Sequence, residues 1–297
     1  MFHRSIENPG LRYTEYLGDG DTSSFNRVKE SKPYGAQCII SKKECIGHIQ
    51  KRVGSRLRKL KTQYRGQTLN DGKPLSGKNR LTDKAIDTLQ TYFGMAIRAN
   101  TNKSLAEMQK AIMASFYHVV STDERPEHSF CPIGPESWCD YQKDPENYKH
   151  RHGLPDAVVE LLEPVYDELN DQALLGKCMH GMTQNPNECL NKCIWDRCQK
   201  EQWVSRKVVE QSCCSAVCHF NDGAASLIKT LERLGVKTGQ FTVAGCKKID
   251  QRRIDHSVRK MTDQVKARRK RIRAIKKGYT DKQNEIEGCV HAAGEFC

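Results

Sequence analysis

Apolar side chains recur at helical spacing through most of this chain. Positions 46, 49, 53, 57 and 60 are apolar, with Lys and Arg between them, which predicts an amphipathic helix over residues 44–61. The same period predicts further helices over residues 22–29, 82–98, 104–120, 187–197, 204–220 and 224–234, and one or two helices over residues 156–175, around Pro164. One long polar helix is expected over residues 242–277, with disorder beyond Gly278.

Two short segments near the N-terminus have the pattern of β-strands instead. Residues 11–17 alternate in polarity and are rich in aromatic side chains, and Cys38 to Ile40 form a second apolar run. Each is followed within a few residues by a predicted helix, which is typical of α/β folds. The sequence therefore predicts the α/β fold class, with a helical middle and a long basic C-terminal helix.

Positive charge is concentrated near the C-terminus. Residues 247–277 contain 14 Lys and Arg against three Asp, and so carry most of the chain's net charge of +13. Such a segment indicates a polyanionic partner, with nucleic acid the first choice, although a solvated charged helix has the same composition. The candidate DNA-binding residues are Arg252, Arg253, Arg268, Arg269, Lys270, Arg271 and Arg273.

Composition excludes several classes of protein. No run approaches the roughly 20 apolar residues of a membrane-spanning helix. Trp138, Trp195 and Trp203, together with many aliphatic residues, argue against wholesale disorder. The first ten residues lack the apolar core of a secretion signal, so the 14 Cys are expected to be reduced thiols, buried or metal-bound.

The acidic pair Asp19 and Asp21 follows the first predicted strand. Carboxylates at the carboxyl end of a strand are common metal ligands in α/β folds, and their hard oxygens suit Mg²⁺. Gly-Asp-Gly-Asp is also an ordinary turn sequence, so both interpretations stay open. Later in the chain, Asn185 or Asn187 is a candidate N-cap that places Glu188 in the first turn of a helix, where the helix dipole stabilises a carboxylate.

Two groups of Cys and His have the donor types of a zinc site. Cys45 and His48 are half a site at most, and a buried thiol beside a hydrogen-bonded imidazole explains them equally well. The irregular segment between residues 121 and 152 has more donors, and the candidate structural Zn²⁺ ligands are His128, Cys131, Cys139, His150 and His152. Their alternative role is that of structural thiols and surface imidazoles. Cys178 and His180 form a weaker pair.

Taken together, three motifs resemble the core of Mutator-like transposases, and most closely the arthropod type. They are residues 12–21 (RYTEYLGDGD), Cys45-x-x-His48, and residues 183–191 (TQNPNECLN). Residues 121–124, 137–139 and 220–223 extend the likeness, which covers about residues 5–240. Any one of the motifs alone is unspecific, but their order is typical of this family.

The resemblance implies a ribonuclease-H-like core whose three acids hold two divalent ions, Mg²⁺ or Mn²⁺, for DNA cleavage and strand transfer. Asp19 matches the second acid and Glu188 the third, with Asp21 as a register alternative, and Cys45 and His48 match the family's Cys-x-x-His motif. The expected domains are a partial ribonuclease-H-like core (1–62), a helical insertion (63–182), returning core helices (183–240) and a basic arm with its tail (241–297).

This chain departs from the family at the first acid, because no Asp precedes Asp19. The expectation is therefore an inactive fragment that begins inside the catalytic domain, and the alternative is a non-enzymatic DNA-binding protein derived from a transposase. The resemblance also implies a nuclear location, DNA as the partner and a homo-oligomeric state, with neither a membrane nor a small-molecule substrate.

Overall fold

The structure, a computed structural model, describes residues 2–7, 10–18, 22–150 and 153–287. The chain divides into two compact units, Met1–Asn187 and Glu188–Cys297. In the first unit a 3-10 turn (Phe2–Arg4) is followed by β1 (Glu15–Gly18), α1 (Thr22–Ser31), β2 (Ser41–Glu44), α2 (Ile46–Gln63), α3 (Asp83–Ala99), α4 (Leu105–Val120), α5 (Asp140–Lys143), α6 (Asp156–Leu169) and α7 (Gln172–Gly176). Helix α8 (Asn185–Trp195) crosses the boundary between the units.

The two strands form a small parallel sheet with α1 as the connection between them. Glu15 pairs with Ser41 at one end and Gly18 with Glu44 at the other. A parallel pair joined through a helix is the basic α/β unit, and it lies in an otherwise mostly helical chain. The structure thus agrees with the predicted α/β class.

The prediction of the second strand at residues 38–40 is wrong. Ile39 is 80% exposed, and the strand instead lies at Ser41–Glu44. This strand pairs with β1 along its length, and its buried Glu44 carboxylate is compensated by Arg52 Nη2 at 3.0 Å and by Lys42 Nζ at 3.6 Å. A polar strand of this kind has no apolar alternation from which it could be recognised.

The core of the first unit lies between α2, α3, α4 and α6. The apolar face predicted for α2 is buried at Ile46, Ile49, Val53 and Leu57. Across the core, the centroid of the Tyr166 ring on α6 lies 5.7 Å from the ring centroid of Phe93 on α3. It lies 4.3 Å from the ring centroid of Phe116 on α4.

Of the one or two helices predicted over residues 156–175, the structure has two, and the break between them is not at Pro164. The first, α6, continues through Pro164 and ends at Leu169. The second, α7, begins after Asp171, whose side chain accepts a hydrogen bond from the Leu174 N–H. This carboxylate cap starts a new helix at the point where α6 ends.

The second unit contains the rest of α8 and then α9 (Arg206–Asp222), α10 (Ala225–Arg233), α11 (Gln240–Met261) and α12 (Asp263–Glu287). The single polar helix predicted over residues 242–277 is wrong, because the backbone of Thr262 is extended between α11 and α12. The disorder expected beyond Gly278 is also wrong as far as Glu287. Within the described residues, no helix is both long and apolar enough to cross a bilayer.

The side chain of Asp250 on α11 forms hydrogen bonds with the start of α10. Asp250 accepts hydrogen bonds from the backbone N–H groups of Ala224 (2.8 Å) and Ala225 (3.3 Å), at the start of α10. The bond from Ala224 is the main reason that the pKa of Asp250 lies below its usual value. Asp250 is one of the three Asp within residues 247–277, and its carboxylate lies at the N-terminus of α10 in the same unit.

Candidate functional site

Of the predicted acidic site, only Glu188 lies among the described residues. Asp19 and Asp21 are outside the described residues, but β1 ends at Gly18, directly before them. Glu188 lies in the first turn of α8 and is exposed. The carboxylate is thus placed where the helix dipole stabilises negative charge, as the sequence predicts.

The segment before α8 is held against the carboxyl ends of both strands. The Gln184 side chain donates to the Leu17 carbonyl at 3.3 Å, and the Gln184 backbone N–H donates to Cys45 Sγ at 3.4 Å. Cys45 is buried at the N-cap position of α2, and His48 follows in the first turn. Cys45 thus receives a hydrogen bond from the motif at residues 183–191.

His180 forms hydrogen bonds with the backbone in the same segment. Its Nε2 lies 3.1 Å from the Glu44 carbonyl oxygen, and its Nδ1 accepts from the Met182 N–H at 2.8 Å. This assigns the proton to Nε2, so both ring nitrogens are engaged with backbone groups. Burial raises the pKa of the neighbouring Cys178 thiol to about 12, which keeps it protonated. His180 thus holds this segment at the end of β2.

Four side chains converge where α4 meets the irregular segment that follows it: His118, His128, Cys131 and Cys139. Their ligand atoms all lie within 4.8 Å of one another. The Nδ1 atoms of the two imidazoles are 3.3 Å apart. Cys139 Sγ lies 3.4 Å from His128 Nδ1 and 3.6 Å from His118 Nδ1, and Cys131 Sγ lies 3.6 Å and 3.9 Å from the same atoms. We refer to these four residues as the Cys/His cluster.

Local hydrogen bonds bring the cluster together. Helix α4 buries Phe116 and Val120 in the core, which leaves His118 in its last turn facing the following loop. The loop folds back because Ser121 Oγ accepts from the Glu127 N–H at 3.0 Å. Closer to the cluster, Ser137 Oγ accepts from the Cys139 N–H at 3.0 Å.

Of the five predicted zinc ligands, His150 lies outside this group. His150 contacts the side of the His128 ring that faces away from the cluster, because its Nε2 lies 2.8 Å from His128 Nε2. Its Nδ1 lies 2.7 Å from an Asp123 oxygen. His152 is outside the described residues. His118 was not among the predicted ligands, because it lies within the helix that apolar periodicity predicts over residues 104–120. A His in the last turn of a helix that leads into a Cys/His-rich loop was the available signal.

Burial controls protonation in the cluster. It lowers the pKa of His128 to about 4, with further lowering from His118 and His150, and it lowers the pKa of His118. Burial, followed by the neighbouring Cys139, raises the pKa of Cys131 to about 12. Without a cation, both imidazoles are therefore neutral and the Cys131 thiol keeps its proton at neutral pH.

Gly153 packs against the backbone at Ser121, where the segment after α4 begins. Its replacement tests how tightly this segment is packed. A Cβ at this position would overlap the Ser121 carbonyl oxygen and the Thr122 methyl group. Since backbone cannot move aside cheaply, we expect Gly153→Ala to lower the free energy of unfolding by about 1–3 kcal/mol, measured by urea denaturation. Gly245→Ala is the matched control, because nothing lies near that position in α11 and Ala favours a helix. Equal stability of the two variants would contradict the close packing of this loop.

The basic residues predicted to bind DNA lie on α11 and α12 of the second unit. All seven are exposed, namely Arg252, Arg253, Arg268, Arg269, Lys270, Arg271 and Arg273. The described part of this unit buries few side chains, all of them small or thiol-bearing: Cys198, Ser212, Ala216, Ala224 and Cys246. The helices therefore present their cations to solvent, where a phosphate backbone has access to them.

Comparison with known proteins gives one result. Residues 1–139 match the family model of Mutator-like transposases. The match confirms the resemblance over that part of the chain and supports a transposase-type function. It includes β1, Cys45, His48 and the whole Cys/His cluster, and it ends at Cys139. No curated protein and no solved structure matches the chain.

Proposed function

We propose that this protein, whose residues 1–139 belong to the Mutator-like transposase family, acts on DNA in the nucleus by metal-dependent strand cleavage and transfer. The family match is the observation that carries the proposal. The exposed cations of α11 and α12 support it independently, because their charge suits a polyanion and they lie outside the matched residues.

The acidic groups of this proposal are Asp19, with Asp21 as the register alternative, and Glu188. Asp19 follows β1, and acids at the carboxyl end of a parallel strand are common ligands in α/β folds. Within the first unit, Gln184 donates a hydrogen bond to the Leu17 carbonyl at this end of β1. A ribonuclease-H-like arrangement around the two strands is part of the proposal.

These carboxylates suit Mg²⁺ or Mn²⁺, since both ions prefer oxygen ligands. When bound, divalent ions would supply the activation of a water or a 3′-hydroxyl and the stabilisation of the leaving oxygen. The contribution of this chain is to place carboxylates from distant positions, while α11 and α12 neutralise the phosphates of the bound strand. Assembly of two or more copies on DNA belongs to the same proposal.

A nicking assay on supercoiled DNA, with Mg²⁺ or Mn²⁺ and the full chain, tests the chemical step. Because only two of the family's three acids are matched in this chain, we expect weak metal-dependent nicking, which Glu188→Gln should reduce at least tenfold. Asp19→Asn and Asp21→Asn are tested in parallel, and only the acid that holds metal should have this effect. Glu201→Gln is the matched control, because Glu201 is another exposed glutamate of the second unit.

The assay also separates the proposed enzyme from a DNA binder without chemistry. Tight DNA binding with no nicking in either metal would overturn the enzymatic proposal and leave the non-enzymatic alternative, for which α11 and α12 suffice. Nicking that survives both Asp variants and Glu188→Gln would assign the activity to other residues or to a contaminant. Absence of DNA binding as well as nicking would overturn both functions.

A further inference from the structure

We propose that the Cys/His cluster is a structural zinc site, in which His118 and His128 bind Zn²⁺ through Nδ1 and Cys131 and Cys139 bind it through Sγ. The site is separate from the proposed catalytic acids and goes beyond the proposed function, because it maintains the shape of the segment between α4 and α6. It differs from the ligand set expected from sequence in that His118 takes the fourth position.

The distances within the cluster are those of a tetrahedral zinc site. Zinc lies about 2.0–2.1 Å from nitrogen and about 2.3 Å from sulfur, so tetrahedral geometry places two nitrogens about 3.3 Å apart and nitrogen and sulfur about 3.6 Å apart. The two Nδ1 atoms are 3.3 Å apart, and the four nitrogen–sulfur distances range from 3.4 to 3.9 Å. One ion at the centre therefore contacts all four atoms without a change of backbone.

The chemistry of the donors selects the metal. Two thiolates and two imidazoles suit zinc, whereas Mg²⁺ and Ca²⁺ require oxygen ligands. The two thiolates also balance the charge of the ion, so a neutral site results. This matters because His128, Cys131 and Cys139 are all buried, where an unbalanced charge is costly.

His150 and Asp123 orient one of the ligands. For His128 to present the lone pair of Nδ1 to the metal, its proton lies on Nε2 and is donated to His150 Nε2, 2.8 Å away. The remaining His150 proton then lies on Nδ1, 2.7 Å from an Asp123 oxygen. A carboxylate–imidazole chain of this kind fixes the tautomer and the ring orientation of a zinc ligand.

The segment has little else to hold it together. Among its described residues, 121–150 and 153–155, the buried side chains are those of Ser121, His128, Cys131, Ser137, Cys139 and Leu154. Leu154 belongs to the core between the helices of the first unit, and none of the others is aliphatic or aromatic, so the segment has no hydrophobic core of its own. Short segments without such a core need a disulfide or a metal to hold one conformation. The two buried thiols are free, which leaves the metal.

Metal analysis of the purified full-length protein provides the test. We expect one zinc per chain, which His118→Ala and Cys139→Ser remove. His150→Ala should keep the zinc but weaken its affinity by about 10–100-fold, as loss of a supporting hydrogen bond does. Cys214→Ser and His256→Ala are matched controls at exposed positions of the second unit and should leave the zinc content unchanged.

Replacement of the metal with Co²⁺ keeps the assignment testable where a variant does not fold. The wild-type protein should show the visible absorption of tetrahedral Co²⁺ with thiolate charge transfer, and His118→Cys should strengthen the charge-transfer band by adding a third thiolate. Wild-type protein without zinc and without this spectrum would overturn the site. An unchanged band in His118→Cys, or zinc lost in His150→Ala and retained in His118→Ala, would overturn the role of His118.

Discussion

Replacing five basic residues of α12 with glutamine is expected to weaken binding to duplex DNA severely and to make it less sensitive to salt. The substituted residues are Arg268, Arg269, Lys270, Arg271 and Arg273, all of them exposed. Each phosphate contact contributes a slope of about −0.9 to a plot of log K against log[salt], so the loss of several contacts should flatten the plot by several units. Titrations at four or more salt concentrations measure this slope.

The control must remove the same charge elsewhere. Five exposed basic residues of the first unit serve for this purpose: Lys59, Arg65, Lys84, Lys103 and Lys110. Both variants lose five positive charges, so any effect of net charge alone is common to them. Only the α12 variant should lose affinity and slope to the expected extent. Equal losses in the two variants would show that DNA responds to the charge of the whole chain and not to a binding surface on α12.

The second large effect concerns the core of the first unit. Phe93→Ala should lower the free energy of unfolding by about 3–5 kcal/mol, because it removes a fully buried ring and leaves a cavity. Phe93 on α3 lies against the ring of Tyr166 on α6. The Tyr166 hydroxyl donates a hydrogen bond to the Leu89 carbonyl on α3 at 3.2 Å. Tyr166 therefore cannot move into the space without losing that hydrogen bond.

Urea denaturation monitored by circular dichroism measures this loss. Phe241→Ala is the control, because Phe241 is 84% exposed in the second unit, and its change should stay within about 0.5 kcal/mol. A loss below about 1 kcal/mol in Phe93→Ala would mean that the helices around Tyr166 are not packed as the structure has them.

Much of the Cys/His cluster could be predicted from the sequence. His128, Cys131 and Cys139 were identified because donors of the right type crowd an irregular segment. His118 could not be identified in this way, since it lies on α4 and its place in the cluster depends on where the following loop folds back. His150 was expected among the ligands but lies in contact with His128, a difference of a few ångströms that spacing does not encode.

The helices were largely predictable and the strand β2 was not. Amphipathic periodicity located α2, α3 and α4 to within about two residues, because burial of one face against a core imposes that period. Strand β2 has no such period, since ion pairs to Lys42 and Arg52 satisfy its buried Glu44. The break at Thr262 was missed because a solvated basic helix has no buried face to mark where it ends.

By itself, the sequence determined which faces of the helices are buried, where the positive charge is concentrated and which family model residues 1–139 match. Each of these properties depends on residue types and on their spacing along the chain. Only the tertiary structure decided that His118 joins three donors from the following loop and that His150 supports one of them. The physical reason is that ligand geometry depends on distances between segments, and the packing of α4 and the hydrogen bonds of the loop set those distances.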